Sequence, residues 1–163
     1  MTIIHETNIK DQATFTLNHV KAALRNNTPI EEKLHVIVVM SNPANFVTRY
    51  VLTKEFIKRM EIEEQNVELY LVELAYGEQE YFITEANNPR HLQLRATDVL
   101  WHKENMINLG VKKLLPPNWQ AMAWIDADLE FENNTWAKDT LKLLNGCFDL
   151  VQLFSHACDM NAA

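Results

Sequence analysis

Two aspartates one residue apart, in Asp126-Ala127-Asp128, are the residues of this sequence best suited to chemistry. They follow an apolar run at 121–125, AMAWI, that reads as a strand. In extended chain alternate side chains share a face, so both carboxylates can reach one hard divalent cation, directly or through water. Mg²⁺ and Mn²⁺ favour oxygen ligands, and Mg²⁺ takes one or two carboxylates together with substrate phosphates. The plainer reading is a pair of exposed aspartates that end a strand and open a turn. Asp-x-Asp is short and common; its place after a buried strand is what favours the metal. Glu130, close by, reads as a solvent-facing carboxylate rather than a further ligand.

Composition narrows the alternatives. The chain has 163 residues, room for a single domain over 1–163. Apolar residues make up 47% and charged residues 23%, the balance of a soluble globular protein able to bury a core without staples. Fifteen Lys and Arg against 22 Asp and Glu give a net charge of −7, which argues against nucleic acid as a partner. A metal can still carry an anionic phosphate into an acidic site. The 3 glycines, Gly77, Gly110 and Gly146, stand far apart, which excludes the glycine-rich phosphate loops of dinucleotide-binding and triphosphatase proteins. Cys147 and Cys158 lack a paired metal spacing and read as buried, reduced thiols. His5, His19, His35 and His91 show no zinc spacing either. Residues 1–12 carry no secretory signal and read as a polar, flexible arm. No apolar stretch nears the roughly 18 residues that span a bilayer. The expectation is a soluble, cytoplasmic protein.

The elements that must position the aspartates follow from periodicity. Leu17, Val20 and Leu24 recur at helical spacing over 13–25, and a loop follows at 26–29. Residues 34–40, LHVIVVM, form a continuous β-branched run, the mark of a strand covered on both faces. Asn42 and Pro43 suit the start of a helix that Phe46, Tyr50, Ile57 and Met60 mark to about residue 60. Residues 67–74, VELYLVEL, read as a second strand, turned by Gly77. Residues 81–84 and 91–95 read as two short strands around Asn87-Asn88-Pro89 or as one irregular segment. A helix is expected over 98–115, weakened by Gly110 and ended by Pro116-Pro117. After the strand at 121–125, a helix over 136–144 stops at Gly146, and 148–154 reads as a last strand. Strands alternating with helices predict a three-layer α/β/α fold with a mostly parallel central sheet. In such sheets ligands sit beyond the carboxyl ends of the strands. Ser41-Asn42, Glu73 and the Asp126/Asp128 pair all fall at such ends.

In the order of these segments the chain resembles the nucleotide-binding half of a GT-A-type glycosyltransferase. The resemblance is carried by HVIVVMSNP, VELYLVELAYG, LWHKENMINLGV and WIDADLEF, within a core spanning 34–159. It implies a GT-A-like fold, Mn²⁺ or Mg²⁺ as cofactor, and a nucleoside-diphosphate sugar of the UDP or GDP type as donor, with an unknown acceptor. It implies that Asp126 and Asp128 hold the metal on the diphosphate. Ser41, Asn42 and Arg49 would lie by the nucleotide, Arg49 through its guanidinium fork, although a solvated helix charge is an equal reading. Glu73 would contact base or ribose, against the plainer reading of a strand-end glutamate. Lys103 would offset phosphate charge, and Asn105 would bond sugar or ribose. Trp101 reads as core, and His102 as a surface residue. His156, in QLFSHACDM, is a further candidate beside the metal or the sugar, although a lone histidine is more often structural.

The sequence departs from that family at its end. A complete GT-A enzyme continues into a half that binds the acceptor and, in inverting members, supplies the base. Here the last carboxylate is Asp159, which is not assigned as that base. The first functional reading is a metal-dependent glycosyltransferase. The second is a truncated or non-catalytic nucleotide-sugar-binding or assembly module on the same fold. Alternatively, a partner chain completes the site, with the sheet's exposed end as the interface, a homo-oligomer being one such arrangement. A nucleotidyltransferase or aspartate-nucleophile phosphatase is disfavoured. The former commonly carries an early glycine-rich basic loop, and the latter places Asp-x-Asp after its first strand.

Overall fold

The β-branched run at 34–40 forms strand β1, Leu34–Ser41, and lies buried because helices cover both faces of the sheet it centres. The computed structural model describes residues 16–63, 65–146, 148–154 and 156–158. The expected arm at 1–12, Cys147 and Asp159 lie outside the described residues. Elements follow in the order α1 (Leu17–Asn26), β1, α2 (Val47–Glu63), β2 (Val67–Tyr76), β3 (His91–Ala96), α3 (Lys103–Leu114), β4 (Met122–Ile125) and α4 (Trp136–Leu143). The sheet has 4 strands in the order β3-β2-β1-β4, and every pairing is parallel. Leu34 pairs with Val67, and His35 with Met122, so β1 is flanked by β2 on one side and β4 on the other.

The period of two in β1 and β2 divides the apolar residues between two cores. Leu34, Val36, Val38, Val67, Leu69 and Leu71 face α2 and α4, where Phe56, Met60, Trp136 and Leu141 meet them. Ile37, Tyr70, Val72, Leu74 and Tyr76 face α3 and meet Met106. Helix α1 packs on α4. This is a three-layer α/β arrangement. Among the described residues no helix is long and apolar enough to cross a membrane.

Gly110 explains how α3 lies so close to the sheet. A Cβ there would stand 3.0 Å from Val72 Cγ2 and 3.1 Å from Ile37 Cγ2. The glycine that weakens the helix as a sequence is therefore a contact surface in the fold.

Three expectations are corrected, and the alternative left open at 81–84 is decided for irregular chain. Helix α3 begins at Lys103, not at 98. The chain leaves β3 at the sheet's outer edge and uses 97–102 to travel back over the strand ends before it can turn helical. Helix α2 begins at Val47 rather than just after Asn42. The Asn42 side chain closes a loop instead: Nδ2 donates to Phe46 O at 2.9 Å and Oδ1 accepts from Phe46 N at 3.1 Å. Asn45 completes that loop at φ 55°, a left-handed conformation that asparagine tolerates. Residues 81–84 form bends, because the buried Glu73 carboxylate gathers their donors. It accepts from Phe82 N and Thr84 N at 2.8 Å each, Ile83 N at 3.1 Å and Thr84 Oγ1 at 2.7 Å. Residues 148–154 form no strand; Leu153 packs on the α2/α4 core while Leu150 and Phe154 stay exposed.

Candidate functional site

Strand order reverses between β1 and β4, because β1 runs on to β2 on one side while β4 joins on the other. Beyond the carboxyl ends of those two strands the helices diverge, and a crevice opens at the point where ligands of parallel sheets bind. It is a cavity of about 460 Å³. Val39, Met40 and Met106 form its apolar floor. Phe46, Thr48, Arg49 and Leu52 come from the loop and first turns on the α2 side. Leu100, Trp101, His102 and Lys103 come from the loop and helix start on the α3 side, and Asp126 and Asp128 from the turn after β4.

Five of the residues singled out from sequence, Ser41, Arg49, Lys103, Asp126 and Asp128, therefore line one cavity. Arg49 Nη1 donates to the Ser41 carbonyl at 3.0 Å, which ties the first turn of α2 to the end of β1. Thr53 Oγ1 caps the same turn by donating to Arg49 O at 2.8 Å. Lys103 Nζ forms an ion pair with Asp126 Oδ1. The turn beyond is held from α2: Arg59 Nη1 pairs with Glu130 Oε2 at 2.7 Å, and its Nη2 donates to Leu129 O at 3.1 Å. Glu130 thus stands away from the aspartate pair, bound to Arg59.

The other candidates lie elsewhere. Asn42 is buried behind the cavity and shapes the loop that presents Phe46. Gln79 clasps the same loop, donating through Nε2 to Pro43 O at 3.2 Å and Asn45 Oδ1 at 3.1 Å. Glu73 faces the 82–84 bend and does not line the cavity. Asn105 is exposed on α3, two positions from Lys103 and so on another side of the helix. His156 is exposed and does not line the cavity.

Three sequence expectations fail, two of them at this site. Trp101 is not core: it is 78% exposed, the most exposed of the large apolar side chains among the described residues. Cys158 is an exposed free thiol rather than a buried one. Phe46, expected on the inner face of a helix, is 66% exposed on the cavity rim. The signal for Phe46 is present in Asn42-Pro43-Ala44-Asn45, whose residues favour a turn as strongly as a helix start. Trp101 carries no such signal. The neighbouring Trp101 indole holds the Glu104 carboxyl below its ordinary range.

The donor set bears on a metal. Among the described residues no group of three or more His, Cys, Asp or Glu side chains is arranged to hold an ion. Two carboxylates with no third protein ligand do not make an all-protein cage. They fit a hard cation that brings the rest of its shell on a phosphate and water. Asp126 and Asp128, both exposed at the mouth, would hold such an ion, with Lys103 and Arg49 as the neighbouring positive charges.

What fold and site define together is a parallel α/β protein with a mixed-charge cleft at its topological switch point. Compared with known proteins, the chain is matched by no family model, no curated protein and no solved structure.

Proposed function

We propose that the cleft binds a nucleoside-diphosphate sugar of the UDP or GDP type with Mn²⁺ or Mg²⁺, and that the chain is a metal-dependent glycosyltransferase of the GT-A type acting inside the cell. One observation carries the reading: Asp126 and Asp128 share a cavity with Ser41, Arg49 and Lys103 at the crossing between β1 and β4. Carboxylates at one end suit a cation, and the Lys and Arg charges suit the diphosphate it accompanies. The apolar floor and the exposed Phe46 ring give a planar base a surface to rest on.

The bound cation would supply charge neutralisation for the departing nucleoside diphosphate. Lys103 adds a second positive charge at the same place, once it leaves Asp126 for the phosphate. Arg49, tied to Ser41, holds the first turn of α2 against the end of β1 and fixes that wall. The loop closed by Asn42 keeps Phe46 on the rim.

A second reading, binding without transfer, is favoured by a specific feature. Among the described residues the cavity offers no carboxylate besides Asp126 and Asp128, so none remains to deprotonate an acceptor hydroxyl. Calorimetric titration with UDP and with GDP, each with and without Mn²⁺, tests the shared premise. Metal-dependent binding of either supports it, and absence of binding by the folded protein overturns it. Donor hydrolysis then separates transfer from binding.

A further inference from the structure

A second cavity of about 370 Å³ opens beside the first. Its walls are Trp101, Lys103, Glu104, Ile107, Asn108 and Trp124. It shares Trp101 and Lys103 with the main cleft, so the two adjoin at those residues. Trp124, Glu104 and Asn108 line this cavity and not the main cleft.

The two tryptophans are the unusual feature. Trp101 is 78% exposed and Trp124 is 53% exposed, each leaving large apolar area in water. Single exposed apolar residues are ordinary, but two indoles flanking one cavity form a patch that favours an occupant. Trp124 belongs to β4 and pairs with Ile37 in register, which puts it on the α3 side of the sheet. Trp101 comes from the loop before α3 and lines the cavity together with Glu104.

The polar walls are equally particular. Glu104 and Asn108 are four positions apart on α3 and so lie one above the other on one face. Glu104 offers acceptors only, while Asn108 offers both a carbonyl and an amide. Aromatic faces beside paired acceptors and donors match a pyranose. Its C–H face is apolar and weakly positive and settles against the negative face of an indole. Its hydroxyls run around the edge, where they meet carboxylate and amide. A purely apolar ligand would give Glu104 and Asn108 nothing to bond, and a phosphate would meet the Glu104 charge.

We propose that the Trp101–Trp124 cavity binds an uncharged hexose ring, as the subsite for a glycan acceptor. The acceptor role rests on the glycosyltransferase reading; the binding of a sugar ring does not. A hexose seated there lies one residue, Lys103, from the diphosphate end of the main cleft, which is where an accepting hydroxyl must arrive.

Saturation-transfer NMR with the methyl glycosides of glucose, galactose, mannose and N-acetylglucosamine tests the site. Wild type is expected to bind at least one, through protons of a single ring face. Trp124→Ala is expected to weaken that binding at least tenfold while UDP or GDP binding with Mn²⁺ stays within twofold, because Trp124 does not line the main cleft. Circular dichroism shows whether the variant is folded, and Asn108→Ala, on an exposed helix position, gives a milder loss by a second route. Absence of binding for every glycoside overturns the proposal, as does binding unchanged in both variants. So does sedimentation showing a dimer that Trp124→Ala dissociates, since a second copy would then cover the indoles. Nucleotide binding with no glycoside bound overturns the subsite alone. Glycoside binding with no nucleotide bound overturns the acceptor role and the glycosyltransferase reading while the sugar site stands.

Discussion

Lys103, in the first turn of α3, is ion-paired with Asp126, at the end of β4. This contact joins the two sides of the cleft across the mouth. The ammonium sits at a carboxylate that would hold a metal, so the cleft carries its own internal cation. A diphosphate and a divalent ion entering together offer each partner a replacement. Neither side chain is buried, the lysine being 33% and the aspartate 53% exposed, so the pair breaks at small cost.

Lys103→Met is therefore expected to change fold stability by less than about 1 kcal/mol. Its effect on the ligand should be larger, with about tenfold weaker UDP or GDP binding in Mn²⁺, equal to about 1.4 kcal/mol. Urea unfolding and calorimetry read the two quantities separately. Unchanged nucleotide affinity would show that Lys103 serves only as the partner of Asp126.

Asp128→Ala is expected to abolish Mn²⁺-dependent nucleotide binding. Its side chain is exposed in the turn after β4, so stability should stay within about 0.5 kcal/mol of wild type. Retained metal-dependent affinity in this variant would refute the metal assignment at the Asp126/Asp128 turn.

Glu73→Gln should act on stability. The carboxylate is 3% exposed and accepts backbone donors from Phe82, Ile83 and Thr84 together with the Thr84 hydroxyl. An amide replaces one acceptor oxygen by an N–H₂ group that faces those donors. A loss of about 2–3 kcal/mol is expected from urea unfolding, since hydrogen bonds to a buried charge are the stronger class. A nucleotide-binding defect without this destabilisation would instead favour the base or ribose role.

His91 gives the fold a pH dependence. Burial pushes its pKa below 6.5, and its Nδ1 accepts from Glu85 N at 2.9 Å, which requires a neutral ring at that nitrogen. The unfolded state binds the proton more readily than the folded state, so this contribution is complete above about pH 6.5 and is lost as pH falls through the lowered folded value. His91→Gln should flatten that part of the stability profile between pH 7 and 5, measured by urea midpoints. A profile identical to wild type would remove His91 as its cause.

Gly110→Val should destabilise by about 1–3 kcal/mol, the usual cost of overpacking. Val72 and Ile37, the side chains it would meet, are 1% and 0% exposed and cannot retreat. Because α3 carries Lys103, the same variant should also weaken nucleotide binding beyond its effect on stability at a temperature where the protein remains folded.

Most of the layered order was legible from local pattern. The runs at 34–40 and 67–74 are apolar on both faces, which only a sheet covered on both sides accommodates, and Asp126 follows the last of the strands that form. The failures fall where a distant partner decides the outcome. Residues 81–84 read equally as a strand or as irregular chain, and Glu73 decides between them by taking their amides. Residues 98–102 have helical spacing, yet the chain needs them to cross from β3 to the start of α3.

By itself the sequence determined the parallel α/β class and the position of Asp126 and Asp128 after a strand, because periodicity and turn chemistry are local properties; that this strand is an edge with Trp124 exposed was not legible there. Only the tertiary structure decided which strand-end groups share a cleft. The β3-β2-β1-β4 order brings Asp126 beside Ser41 and leaves Glu73 one strand away, facing its own loop. It also decided that Trp101 stands in solvent beside Trp124, since exposure depends on what packs above a residue, and strand order is set by contacts far apart in the chain.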